Sequence, residues 1–193
     1  MVAGGAPSCT SEELALLFRH AVNDPDLEIR LEQLVTPGDR VAVAIDPSTP
    51  DLIVILELLL SELDRLQASR EELVFLLPLE GKEVADAIRK RFRSAAKQDE
   101  IQVLLYDPND RAASSYLAAS VDGEPLYIAR ALVDADVVIP LFSCADQNGV
   151  AKHQLAAFLY EGFSGAGSPE SEAIKPPSAA KAQPGGAHPT AEE

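Results

Sequence analysis

Apolar and polar positions along this chain follow two rhythms. Four short apolar runs stand out: RVAVAI (40–45), ELVFLLP (72–78), IQVLLYD (101–107) and VVIPLF (137–142). Runs this short, rich in Val, Ile and Leu and bounded by turn residues, predict strands, RVAVAI a buried one. Between them the apolar positions recur every three to four residues. TSEELALLFRHAV (10–22) predicts an amphipathic helix opened by a Thr10–Glu13 capping box. LEIRLEQLV (27–35) predicts a second short helix, ended by the turn TPGD (36–39). PDLIVILELLLSELDRLQ (50–67) predicts a long helix with Thr49 as N-cap and Pro50 at the first helical position. It is apolar on most sides, so it is expected to pack between other elements.

KEVADAIRKRFRSAAK (82–97) reads as an amphipathic helix with a basic outer face. SSYLAASVDGEPLYIAR (114–130) reads as a hairpin around Asp122-Gly123, ALVDAD (131–136) as a helical turn, and VAKHQLAAFLY (150–160) as a last helix. Strands alternating with helices predict an α/β fold, a mostly parallel doubly wound sheet with an inserted β-hairpin. The expected layout is a flexible N-terminus over 1–9, one α/β domain over 10–165, and a disordered Pro/Ala/Gly-rich tail over 166–193.

Charge narrows the range of partners. The formal net charge is −15, against nucleic acid and anionic membrane as partners. The tail carries four Glu and two Lys, so −13 of that total lies before it. No secretory leader is expected in MVAGGAPSCTSEEL, and no run predicts a membrane span, so the expected localisation is cytoplasmic. Cys9 and Cys144 form neither a disulfide framework nor a zinc pattern.

Candidate chemistry gathers at the carboxyl ends of the predicted strands, where doubly wound proteins bind ligands. In VAVAIDPSTPD (41–51), Asp46 ends a strand while Ser48 and Thr49 precede a helix. Free N–H groups there suit an anion, whereas a cap and an Asx turn would account for the same residues. PLEGKE (78–83) brings Gly81 and Lys82 to the same edge, without Walker A spacing and without G-x-G-x-x-G. His153 follows the last strand, where a base or ligand would serve, and a surface or capping role stays open. The acidic turn after LLYD fits local turn bonding better than a cation site. No protein-only metal site is expected, because no His-x-x-x-His or Cys-x-x-Cys pair occurs.

Taken in order, TPGDRVAVAIDPSTP, ELVFLLPLEGK and YDPNDRAASSYLAASVDGEPLYIARALVDADVVIP resemble the N-terminal domain of the nickel-dependent lactate racemase family, over about residues 34–158. GEPLYIARALVDADVVI follows the family pattern with Ala129 in place of Asn. The resemblance implies a hydride-transfer racemase with a nickel-pincer nucleotide cofactor, two acid/base histidines, a carboxylate-binding arginine and a cofactor-tethering lysine. It places the family aspartate on Asp46, the threonine on Ser48 and the substrate arginine on Thr49. The first catalytic histidine falls near Gly81, the His-Asp-Pro motif becomes Tyr106-Asp107-Pro108, and the second catalytic histidine falls on His153. The tethering lysine falls on Phe163.

With these substitutions, the resemblance implies a degenerate domain without racemase activity of its own, acting as a binding or partner module with no cofactor held by this chain alone. The alternative is a divergent 2-hydroxy-acid racemase or epimerase that completes its site with a second chain. On either reading Asp46 and His153 stand at the catalytic positions and Ser48, Thr49, Gly81 and Lys82 at ligand positions. The partners implied are a small anionic ligand such as a 2-hydroxy acid and a second protein chain.

Overall fold

The computed structural model describes residues 10–23, 30–93, 101–120, 123–143 and 152–165. The predicted tail, the N-terminal nine residues, Cys9, Cys144 and Asp122 lie outside these residues. Six strands are described: β1 Val41–Ile45, β2 Leu73–Pro78, β3 Gln102–Tyr106, β4 Ser114–Ala119, β5 Pro125–Ala129 and β6 Val137–Leu141. The helices are α1 Ser11–Asn23, α2 Leu31–Leu34, α3 Leu52–Arg65, α4 Lys82–Arg91, α5 Arg130–Val133 and α6 Lys152–Phe163.

Four strands form a parallel sheet in the order β3-β2-β1-β6. The chain runs outward from β1 through β2 to β3, then returns to lay β6 on the other side of β1. That reversal puts a topological switch point between β1 and β6. β4 and β5 pair antiparallel as a separate two-stranded sheet, the inserted hairpin. Gly123 turns it with a φ of 83°, a left-handed value that glycine adopts freely.

Alternation along the strands builds two cores. Val41, Val43, Ile45, Leu73, Phe75 and Leu77 face α3 and α4. Helix α3 meets them with Leu52, Leu56, Leu59, Leu60 and Leu63, a stripe at helical spacing. Because α1 packs on its outer side, α3 lies between other elements as its composition predicts. On the other face, Ala42, Ala44, Leu76 and Tyr106 pack with Ala129, Leu132 and Phe163. The small side chains at 42 and 44 let the hairpin base and α5 approach the sheet closely.

The capping box of α1 forms as predicted: the Thr10 N–H donates to Glu13 Oε2 at 2.8 Å, and the Glu13 N–H to Thr10 Oγ1 at 3.3 Å. The turn TPGD also forms, with Asp39 N–H donating to the Thr36 carbonyl at 3.1 Å and Gly38 at a φ of 97°. Of the second predicted helix, Leu31–Leu34 is helical with Arg30 at its N-cap, and residues 24–29 lie outside the described set.

The start of α3 requires a correction. Thr49 is not its N-cap and Pro50 is not its first residue. The helix begins at Leu52, with Asp51 at the cap position and a φ of 50°. An extended residue before proline suits an N-cap, so Thr-Pro alone would allow a helix start; here the Thr49 N–H instead closes a turn on the Asp46 carbonyl at 3.1 Å, and the helix begins only beyond Pro50. The chain takes one more turn at Asp51, a residue type that tolerates the left-handed region. The first helical bond runs from Ile55 N–H to the Asp51 carbonyl at 3.1 Å.

Candidate functional site

The loops after β1, β2, β3 and β6 share the carboxyl edge of the sheet. Asp46 stands at the switch point itself: its N–H donates to the Leu141 carbonyl at 2.9 Å, extending the β1–β6 ladder by one bond. Its carboxylate turns back on the loop. Oδ1 accepts from the Ser48 N–H at 2.8 Å and from the Ser48 hydroxyl at 2.7 Å. The Thr49 N–H donates to the Asp46 carbonyl at 3.1 Å and closes the turn. Asp46 and Ser48 are therefore brought together, in the Asx turn that the sequence allowed as the plainer account.

Thr49 is half-buried, and its hydroxyl is buried without a hydrogen-bond partner. A buried hydroxyl left unbonded is costly, by about 1–3 kcal/mol. The anion site expected at the Thr49–Pro50 helix start does not form in that shape. The helix begins beyond it, with the acidic Asp51 at its N-cap making no side-chain cap bond.

Gly81 and Lys82 follow β2 through a short 3-10 turn, Leu79–Gly81. Gly81 is buried under the first loop: a Cβ placed there would stand 3.3 Å from Pro47 Cβ and 3.3 Å from Leu77 Cδ2. The loops after β1 and β2 thus touch through Pro47 and Gly81. Lys82 is the exposed first residue of α4. His153 lies in the first turn of α6, and its side chain is outside the described residues.

The turn after β3 bonds locally, as its sequence predicted. Asp107 Oδ1 accepts from the Asn109 N–H at 2.9 Å, and Asp110 Oδ1 accepts from the Ala112 N–H at 2.9 Å. Beside it, sequence reasoning missed a buried polar pair. The Tyr106 hydroxyl lies 2.9 Å from Ser114 Oγ, linking the end of β3 to the base of the hairpin. Burial raises the Tyr106 phenol above its ordinary value, the Ser114 bond opposes that shift, and the Asp107 charge adds to it. The signal available in the sequence was a tyrosine closing an otherwise aliphatic strand.

A further cavity lies elsewhere. A groove of about 550 Å³ runs over the second face of the sheet, lined by Val74, Leu76, Leu104, Tyr106 and residues of α5. Sequence reasoning placed all the chemistry at the strand ends and gave no sign of it.

The family model described as the lactate racemase N-terminal domain matches residues 6–164. The chain belongs to that family. A lactate racemase N-terminal domain here spans most of the 193 residues and includes the Asp46 loop, the hairpin and α6. Among solved structures, the domain is similar to the lactate racemase apoprotein from Thermoanaerobacterium thermosaccharolyticum, with 15% identity and a TM-score of 0.42. That match covers 65% of this chain and 31% of the other, so the domain spans about a third of that protein's length. No curated protein matches the chain. Among the described residues no helix is long and apolar enough to cross a membrane.

Proposed function

We propose that this lactate racemase N-terminal domain binds a small 2-hydroxy acid or a partner protein and does not racemise on its own. The observation that carries the reading is Phe163. It occupies the position where the family resemblance places the cofactor-tethering lysine. Its side chain is 0% exposed, with its ring centroid 6.3 Å from that of Tyr106 and 5.7 Å from that of Phe158. A phenylalanine cannot form the covalent tether, and an aromatic cluster leaves no opening for a nucleotide there.

The rest of the edge supports the same conclusion. Thr49, at the place of the substrate arginine, offers one hydroxyl where a bidentate cationic clamp is needed. Gly81 stands near the place of the first acid/base histidine and has no proton to move. Loss of one member of such a pair lowers rates by roughly 10²–10⁴. Among the described residues no three His, Cys, Asp or Glu side chains gather to hold a metal. The described donors do not fit the nickel-pincer nucleotide.

Binding is a separate matter from turnover. The exposed Ser48 hydroxyl, which donates to Asp46 and can still accept, and the exposed Lys82 leave hydrogen-bonding and cationic capacity along the edge. A small hydroxy acid has the complementary groups.

Two readings test this. Intact-mass measurement after incubation with nickel-pincer nucleotide is expected to show the unmodified chain; a covalent adduct would overturn the non-catalytic reading. Thermal unfolding with millimolar lactate or glycolate is expected to shift upward, because a ligand that binds only the folded state stabilises it. An unchanged transition with both acids removes the hydroxy-acid part of the proposal.

A further inference from the structure

A parallel sheet is normally covered on both faces, because its strands carry apolar side chains on each. Here the first face is covered by α3 and α4 along its length. Among the described residues the second face is covered only in part. Over β1 it carries α5, and toward the carboxyl ends it carries α6 and the hairpin base. Between them lies the groove of about 550 Å³, floored by Val74, Leu76 and Leu104. Leu104 is 40% exposed in the middle of a strand, and Val74 is only half-buried. Ala131 and Ala135 on the far wall keep the groove wide.

We infer that this groove docks an amphipathic helix of another protein, apolar on the docking side and basic along its flanks. The shape of the floor calls for a helix. In α/β proteins that is the element that covers a parallel sheet, and two turns of helix span about 11 Å. Helix-in-groove recognition uses side chains at i, i+3, i+4 and i+7, which suits a floor of a few aliphatic residues.

The charges select its flanks. Five charged side chains line the groove, three acidic and two basic, and the two cations among them are paired or hydrogen-bonded within the fold. Arg40 pairs with Glu72 at 3.3 Å. Arg130 donates to the Ala112 and Ser114 carbonyls at 2.9 and 3.0 Å. Glu71 and Asp134 are exposed at the rim with no such cationic partner among the described contacts. An apolar floor with an acidic rim complements lysine and arginine beside a leucine stripe.

Other occupants fit less well. A second copy would bring another net charge of −15 against the first. The segment 166–193 has Ile174 as its only Leu, Ile, Val, Met or aromatic residue, too little to fill an aliphatic groove. This inference concerns a different surface from the Asp46 loop and does not depend on the ligand reading.

The test uses the full chain and two fluorescent synthetic helical peptides, one of leucine and lysine and one of leucine and glutamate, read by anisotropy. The leucine-lysine peptide is expected to bind and the leucine-glutamate peptide to bind at least about tenfold more weakly. Leu104→Glu is expected to weaken the leucine-lysine peptide at least about tenfold, although it adds a negative charge. Glu71→Lys, at an exposed site that leaves the core intact, is expected to weaken the leucine-lysine peptide and strengthen the other. Equal or tighter binding by Leu104→Glu would reduce the attraction to general charge and overturn the inference. So would a dimer in sedimentation that Leu104→Glu abolishes, which assigns the groove to a second copy. A tenfold gain in affinity on Ile174→Glu would overturn it too, by assigning the groove to the chain's own C-terminal segment.

Discussion

At the residue scale, two contacts decide whether the hairpin stays on the sheet. The first is Tyr106, 2% exposed and bonded to Ser114 across two elements. Burial is the main reason that its phenol is raised, so the neutral form is favoured in the folded chain. That contribution is complete below the ordinary phenol value of about 10 and is lost as pH rises through the higher folded value. Tyr106→Phe is therefore expected to flatten the alkaline fall in Tm while lowering stability at neutral pH by about 1 kcal/mol, from the lost hydrogen bond. Thermal melts from pH 7 to 11 check both parts. The second contact is Gly165, whose N–H donates to the Tyr127 carbonyl at 3.0 Å. A Cβ there would lie 2.9 Å from Ser114 Oγ and 2.9 Å from Tyr127 Cβ. Gly165→Ala is expected to cost about 1–3 kcal/mol, seen as a lower urea midpoint at constant slope.

At the element scale, most of the fold was legible. Each predicted strand is present, because a short apolar run between turn residues has few other stable uses. The hairpin followed from Asp122-Gly123, and the burial of α3 from its leucines at positions 52, 56, 59, 60 and 63. The start of α3 was misread for a physical reason. Thr-Pro is a sound cap signal, but Asp46 captures Ser48 in an Asx turn and its carbonyl takes the Thr49 N–H, so the chain is still turning at Thr49 and the helix begins two residues later. This gives a direct check. If Thr49 were the cap, Thr49→Val would cost about 1 kcal/mol. With its hydroxyl buried and unbonded, the substitution is expected to be neutral or stabilising in urea unfolding. Leu56→Ala, deep in the α3 stripe, is expected to cost about 2–5 kcal/mol by the same measurement.

At the scale of the whole molecule, the family was legible from ordered motifs, whereas function was not. The sequence put Asp46, Ser48, Gly81 and Lys82 at one sheet edge, and the strand order places all four there. Which of them serve the turn and which face a ligand depends on side-chain bonds that no spacing rule fixes. Asp46 illustrates this: the same carboxylate reads as catalytic in a motif and as a turn acceptor in the fold. The groove on the second face was invisible, because how far the described helices cover a face depends on packing, and the strand pattern is the same either way. Phe163 carries the most weight in the proposal, since one aromatic residue both completes the second core and stands where the family resemblance places the tether.

The central claim is that this domain does not racemise by itself, and the most direct measurement is turnover. The full chain, supplied with nickel-pincer nucleotide and L-lactate, is expected to form no D-lactate above a protein-free control by chiral chromatography. D-lactate formed over many turnovers, and lost in His153→Ala, would contradict it.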